Sequence, residues 1–127
     1  LFCGDTLFVM GCGRLFEGTA EQMWHSLQKL KALPADTQIY CTHEYTQNNG
    51  RFALTLEPDN QALQEKMLQV AALRANNQPT VPSTMAEELA TNPFLREGST
   101  YIQKTLDLIN APPIEIFAKV RELKDRF

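Results

Sequence analysis

Hydrophobic positions follow two different patterns along this chain. In the first third, residues 1–3 form a short apolar run typical of a buried strand, and residues 37–41 (T-Q-I-Y-C) favour a second strand. Between them Thr19 and Gln22 have the spacing of a capping box, apolar residues follow at helical spacing up to Leu30, and Pro34 ends that helix. The first third therefore predicts a strand, a glycine-rich loop with positive-φ positions, a helix and a second strand.

Beyond that second strand the pattern predicts helices and no further strand. Thr84 and Glu87 have the spacing of a capping box, which marks the start of one short helix. Another helix has an apolar face that extends to Ile109, and a third has a broad stripe that includes Ala71 and Leu73. The expected helices cover residues 45–56, 60–76, a short segment from 83 or 84, 99–110 and 113–126.

Two strands with one helix do not make a stable sheet, because its edges and one face stay uncovered. Something else must therefore complete it. Composition agrees with a globular protein, since 43% of the 127 residues are hydrophobic and 21% are charged. The net charge of −3 provides no basic field for nucleic acid, and apolar runs such as residues 7–10 are far too short to span a membrane.

The three cysteines, Cys3, Cys12 and Cys41, are an odd number, which argues against a disulfide framework. We expect free thiols and a reducing compartment, the cytoplasm. Buried structural thiols are common in such strands, and the chain has no Cys-x-x-Cys pair to suggest a thiolate metal site.

Two residues with metal-binding side chains follow the predicted strands. Asp5 lies just after the first strand and His43 just after the second, and a right-handed crossover would bring these strand ends together. A carboxylate with an imidazole suits zinc, iron or manganese. Either residue alone is more often a loop residue, and two ligands do not complete a site. The remaining histidine, His25, is expected to be solvated on the polar face of its helix.

A basic pair, Arg121 and Lys124, shares one face of the last predicted helix. One interpretation is a solvated face on which Arg121 pairs with Asp125, and Glu122 with Arg126. The other is recognition of a carboxylate, which an Arg fork and a Lys point charge both favour. Arg14 could join this pair only if the last helix folds back over the first unit.

Three blocks taken together resemble the hydroxyacylglutathione hydrolase (glyoxalase II) family of the metallo-β-lactamase superfamily. They are residues 4–8 (G-D-T-L-F), 11–19 (G-C-G-R-L-F-E-G-T) and 43–46 (H-E-Y-T). The first block marks the superfamily broadly, whereas the other two and the helical tail are more specific to this family. The resemblance covers essentially the whole chain, continuing through residues 81–84, 92–94 and 124–127.

The resemblance implies a role for each matching residue. Asp5 corresponds to an aspartate that bridges two metal ions, most often zinc but also iron or manganese, and His43 to the last histidine ligand of one of them. The residues that match positions holding the glutathione moiety are Arg14, Phe16, Tyr45, Arg121 and Lys124, with Phe16 standing where many relatives have Tyr. In the family a metal-bound hydroxide attacks S-lactoylglutathione and gives D-lactate and glutathione, a step of methylglyoxal detoxification.

The family's T-H-x-H-x-D-H block and a further histidine would precede residue 1. We therefore expect the chain to match the C-terminal half of a longer enzyme and, alone, to lack a competent binuclear site. The expected fold class is α+β: residues 1–45 are the last part of a metallo-β-lactamase αββα domain, and 46–127 are a substrate-binding domain of about five helices. The expected partners are a glutathione thioester and the upstream half, in a monomer.

Two alternatives to a thioester hydrolase stay open. The first is a persulfide dioxygenase of the same superfamily, which shares the G-D-T-L-F block but uses a single iron. The second is a non-catalytic helical module in which Arg121 and Lys124 serve a protein partner.

Overall fold

A computed structural model describes residues 1–15 and 18–127 of the chain. Its first unit has the predicted order. Strand β1 (Phe2–Gly4) pairs in parallel with β4 (Gln38–Cys41), and helix α1 (Ala20–Lys31) lies between them in the chain. The helix begins at a capping box in which the Thr19 side chain accepts the Gln22 N–H and the Gln22 side chain accepts the Thr19 N–H. These local signals are strong enough to fix the unit from sequence.

A short antiparallel hairpin follows β1. Strand β2 (Leu7–Phe8) pairs with β3 (Gly11–Cys12), and Met10 in the turn has a positive φ of 58°. The sequence predicted a glycine loop with positive-φ positions here, and Gly18 has one. Gly11 and Gly13 do not. Gly11 and Gly13 have no room for a side chain, because other atoms of the protein lie close to their Cα atoms: a Cβ on Gly11 would lie 2.5 Å from an Asn49 nitrogen.

The expectation of no further strand after His43 is wrong. Strand β5 (Ser83–Thr84) pairs antiparallel with β4, with Ser83 opposite Ile39, and gives the sheet order β1-β4-β5. Two residues are too few to show a period-2 pattern, so no hydrophobic signal could reveal this strand. The sheet is therefore extended from within the later, helical part of the chain.

Five α-helices form residues 46–127 of the described chain, as predicted. Two details differ. The helix expected to reach residue 110 ends at Thr105, because Asp107 adopts a φ of 57°; Ile109 is consequently 58% exposed. Ala71 and Leu73 are also exposed rather than part of a buried stripe. The helices are α2 (Thr46–Leu56), α3 (Gln61–Ala75), α4 (Met85–Thr91), α5 (Thr100–Thr105) and α6 (Pro113–Asp125), with a 3-10 turn at Pro93–Leu95.

One hydrophobic core joins the two parts of the chain. Leu27 and Ile39 from the first unit pack in the same cluster as Phe94, Phe117 and Val120 from the helical part. Helix α6 lies against α1, so the last helix does fold back over the first unit. Within the described residues, no helix combines the length and the apolar character that crossing a membrane requires.

Candidate functional site

A cavity of about 420 Å³ opens where the hairpin, the loop after β4 and helix α6 meet. Its lining includes six of the seven residues that the sequence singled out. The seventh, Phe16, lies outside the described residues. The lining residues are Asp5, Phe8, Cys12, Gly13, Arg14, His43, Tyr45, Asn48, Asn49, Arg121 and Lys124.

The two predicted metal ligands lie together in the lining of this cavity. Because β1 and β4 are parallel, their carboxyl ends meet at one edge of the sheet. The His43 Nε2 atom is 3.4 Å from the Asp5 Oδ1 atom, and both side chains are substantially exposed to solvent. The Thr42 hydroxyl donates a hydrogen bond to Asp5 Oδ1, which fixes the carboxylate against the loop.

A carboxylate oxygen and an imidazole nitrogen that converge in this way fit two positions in the coordination sphere of zinc, iron or manganese. The described residues contain no group of three or more His, Cys, Asp or Glu side chains that could hold a metal ion. All three cysteines are free, and burial raises the pKa of the Cys12 thiol to about 12, which keeps that thiol protonated near neutral pH. As a metal site, the pair of Asp5 and His43 would be incomplete without further ligands.

Aromatic rings form the wall next to these ligands. The His43 ring stacks on the Tyr45 ring, with centroids 4.8 Å apart and planes at 18°. Phe8 from the hairpin packs its ring against Tyr45 edge-on, at 5.2 Å between centroids. Half of Tyr45 remains exposed, so its hydroxyl is available to a bound molecule.

Glu44, which lies between His43 and Tyr45 in the sequence, anchors the loop after β4 to the helical part of the chain. Its carboxylate accepts hydrogen bonds from the Thr80 N–H at 2.7 Å and from the Thr80 hydroxyl at 2.6 Å. Burial alone would raise the pKa of Glu44, but these hydrogen bonds and nearby Arg74 lower it overall. The carboxylate is therefore a stable anionic anchor.

Arg121, on α6, is a buried member of the cavity lining, with 3% of its side chain exposed. It donates to the Cys12 carbonyl oxygen at 2.8 Å and to the Gly13 carbonyl oxygen at 3.2 Å. It also forms an ion pair with Asp125 at 2.8 Å, and its guanidinium lies 5.0 Å from the Phe94 ring centroid. The predicted pairing on α6 is thus present, and Arg121 ties α6 to the hairpin.

Lys124 and Arg14 complete a positively charged corner beside Arg121. The Arg14 Nε atom is 4.0 Å from Asp125, and 61% of its side chain is exposed. Burial lowers the pKa of Lys124, and the charges of Arg121 and Arg14 lower it further. Asp125 offsets part of this positive charge, and a bound carboxylate would relieve the remaining repulsion, so the corner is suited to an anion.

Sequence reasoning did not identify every residue that lines the cavity. Phe8, Asn48 and Asn49 were not singled out, although two adjacent asparagines in the first turns of a helix are an unusual signal. His25, in contrast, is exposed and lies 3.7 Å from Glu21, as its position on a polar helix face predicted.

Comparisons with known proteins assign the chain to a family. Residues 44–127 match the family model described as hydroxyacylglutathione hydrolase C-terminus. Over all 127 residues the chain is 60% identical to a hydroxyacylglutathione hydrolase of Methylococcus capsulatus and 58% identical to those of Brucella ovis and Brucella abortus. These alignments cover 50%, 49% and 49% of those proteins, so the chain spans about half the length of the curated relatives it matches. The chain belongs to the hydroxyacylglutathione hydrolase C-terminus family.

Proposed function

We propose that the protein containing this chain hydrolyses S-(2-hydroxyacyl)glutathione thioesters, converting S-lactoylglutathione to D-lactate and glutathione. The observation that carries the proposal is a single cavity lined by both a carboxylate–imidazole pair and a cationic corner. Both suit a thioester of glutathione: a metal centre held by the pair would act on its acyl group, and the cations would bind its carboxylates. The names of the relatives agree with this assignment.

Asp5 and His43 would hold the metal ions. The other ligands would come from the part of the full-length protein that corresponds to the half of the longer relatives outside this alignment. In this proposal residues 1–45 are the last part of a metallo-β-lactamase domain. Bound metal ions, zinc or alternatively iron or manganese, would lower the pKa of water and stabilise negative charge on the thioester oxygen. Three free cysteine thiols support a reducing compartment, the cytoplasm.

The glutathione moiety would lie across the aromatic wall toward α6. Lys124 and Arg14 supply point charge and a guanidinium fork for a glutathione carboxylate, and the half-exposed Tyr45 offers its hydroxyl. Arg121 lines the same corner, although most of its hydrogen-bonding capacity serves the hairpin and Asp125. Contact between Phe16 and the substrate stays a prediction from the resemblance. Tyr45 also holds the His43 ring by stacking, so substrate and metal ligands share one wall.

The test is an assay of the full-length protein with S-lactoylglutathione. We expect stoichiometric release of D-lactate and of glutathione thiol, together with bound metal detected by elemental analysis. A protein that releases no thiol but consumes oxygen with glutathione persulfide would instead be a persulfide dioxygenase. Absence of both activities would favour a binding module.

A further inference from the structure

The turn of the β2–β3 hairpin is held by side chains from distant helices. Four of its backbone polar groups form hydrogen bonds with side chains outside the hairpin: the carbonyls of Phe8, Val9 and Gly11 and the N–H of Met10. Asn92, after α4, donates to the Phe8 oxygen at 3.3 Å and to the Gly11 oxygen at 3.0 Å. The remaining two groups bond to Asn49, at 3.2 Å from the Val9 oxygen, and to Glu88, at 2.7 Å from the Met10 nitrogen.

Glu88 is a charged residue with no exposed surface, and the metal-site chemistry does not use it. Its carboxylate accepts hydrogen bonds from Met10, from the Ser83 hydroxyl at 2.7 Å and from Asn92 at 3.1 Å. Lys66, itself 8% exposed, lies 3.8 Å away and donates to Ser83 at 2.9 Å. Burial raises the pKa of Glu88 even beside Lys66, and a buried carboxylate is costly unless hydrogen bonds compensate it, as those from Met10, Ser83 and Asn92 do here.

What this network holds in place is the wall of the cavity. The hairpin supplies Phe8 and Cys12 to the lining, and Gly13 follows directly. Phe8 is the residue whose ring packs on Tyr45, and the Cys12 and Gly13 carbonyls are the groups that Arg121 binds. A left-handed residue such as Met10 in a two-residue turn is unfavourable unless its surroundings fix it.

We propose that Glu88 and Asn92 are positioning residues for glutathione binding, which set the cavity wall through the β2–β3 turn without touching the substrate. The inference rests on the proposed function. Asp5 and His43 are outside the hairpin, although the Phe8 ring lies 6.0 Å from the His43 ring as well as 5.2 Å from Tyr45, so loss of this network should weaken substrate binding more than it lowers metal content or kcat. That separation distinguishes positioning from a merely structural role.

The test uses the full-length protein and three variants. Glu88→Ala removes the acceptor for the Met10 N–H, whereas Glu88→Gln keeps a carbonyl oxygen for it. Glu97→Ala is the matched control, because Glu97 is a buried carboxylate that binds Lys31 at 3.0 Å and does not line the cavity. The readouts are glutathione affinity by calorimetry, KM and kcat with S-lactoylglutathione, and bound metal.

We expect Glu88→Ala to weaken glutathione binding and raise KM by about fivefold or more, and both other variants to stay within about twofold of wild type. Should Glu88→Ala not fold, Asn92→Ser provides the same test: serine keeps a cap for the Phe94 N–H but removes the donor to Phe8 and Gly11. A folded Glu88→Ala or Asn92→Ser with wild-type affinity would overturn the inference, as would a Glu88→Gln defect equal to that of Glu88→Ala. A wild-type protein without thioesterase activity would refute the proposed function instead.

Discussion

Replacing Arg121 by Ala separates two roles that one side chain combines. Arg121 lines the cavity, which suggests contact with substrate, yet its guanidinium already donates to two backbone carbonyls and to Asp125. Removing it would leave the Cys12 and Gly13 carbonyls without this donor at the junction of the hairpin and α6. We therefore expect Arg121→Ala to reduce the stability of the fold in addition to any effect on binding.

The size of the effect follows from burial. A hydrogen bond from a charged donor contributes about 1.5–3 kcal/mol, and breaking a fully buried ion pair costs about 3–5 kcal/mol. Asp125 is 44% exposed and regains water when Arg121 is removed, so the loss should fall below the upper limit. We expect the free energy of unfolding to decrease by about 2–4 kcal/mol. Arg126→Ala, which breaks an exposed ion pair with Glu122 on the same helix, should cost less than about 1 kcal/mol.

Urea unfolding and steady-state kinetics, measured on the same preparations, distinguish the roles. Lys124→Ala should change the unfolding free energy by less than about 0.5 kcal/mol, because in the described residues the Lys124 side chain donates no hydrogen bond to a backbone group. The same variant should raise KM for S-lactoylglutathione about 10- to 100-fold, because it removes a charge from the cationic corner. Arg121→Ala should change both quantities. If Arg121→Ala raised KM but left the unfolding free energy unchanged, the reasoning about its buried contacts would be refuted.

Two further predictions concern acid stability and metal binding. Burial would raise the pKa of Glu57, but the Arg96 guanidinium lowers it overall. The ionised Glu57 carboxylate therefore stabilises the fold above its unfolded pKa of about 4.3. This stabilisation is lost as the pH falls through the lower pKa of the folded state. Arg96→Met should therefore make the unfolding midpoint less dependent on pH between about 5 and 3 than in wild type; an unchanged slope would argue against the pair. In the full-length protein, Gly13→Ala should reduce the amount of bound metal, because a Cβ at this position would overlap the Asp5 carbonyl oxygen. Gly98→Ala is the control: a Cβ there lies in open space, so this variant should retain its metal. Elemental analysis of both variants measures the metal content.

The sequence predicted the elements that are governed by local signals. The capping boxes at Thr19 and Thr84 are present, and the parallel pairing of β1 with β4 follows from the crossover rule. The hairpin and the early end of α5 were not predicted, because both depend on residues in left-handed conformations. Met10 and Asp107 adopt these conformations within tertiary surroundings that periodicity does not encode.

The candidate site shows the same division. Asp5 and His43 could be paired from topology alone, since parallel strand ends meet at one sheet edge. The burial of Arg121 could not be predicted from topology, because it depends on α6 folding back across the first unit. Phe8 was missed since an apolar residue in a short strand looks like core, yet its ring lines the cavity.

The contact between Arg121 and Cys12 also has a consequence for how the site is made during synthesis. The two residues are 109 positions apart, and a ribosome adds about 5–20 residues per second, so the hairpin waits roughly 5–20 s for its partner on α6. Until then the Cys12 and Gly13 carbonyls are without this donor and Phe94 is without its covering guanidinium. During synthesis the chain therefore contains Asp5 and His43 well before Arg121 completes the pocket, so the ability to bind substrate develops only after α6 has been made.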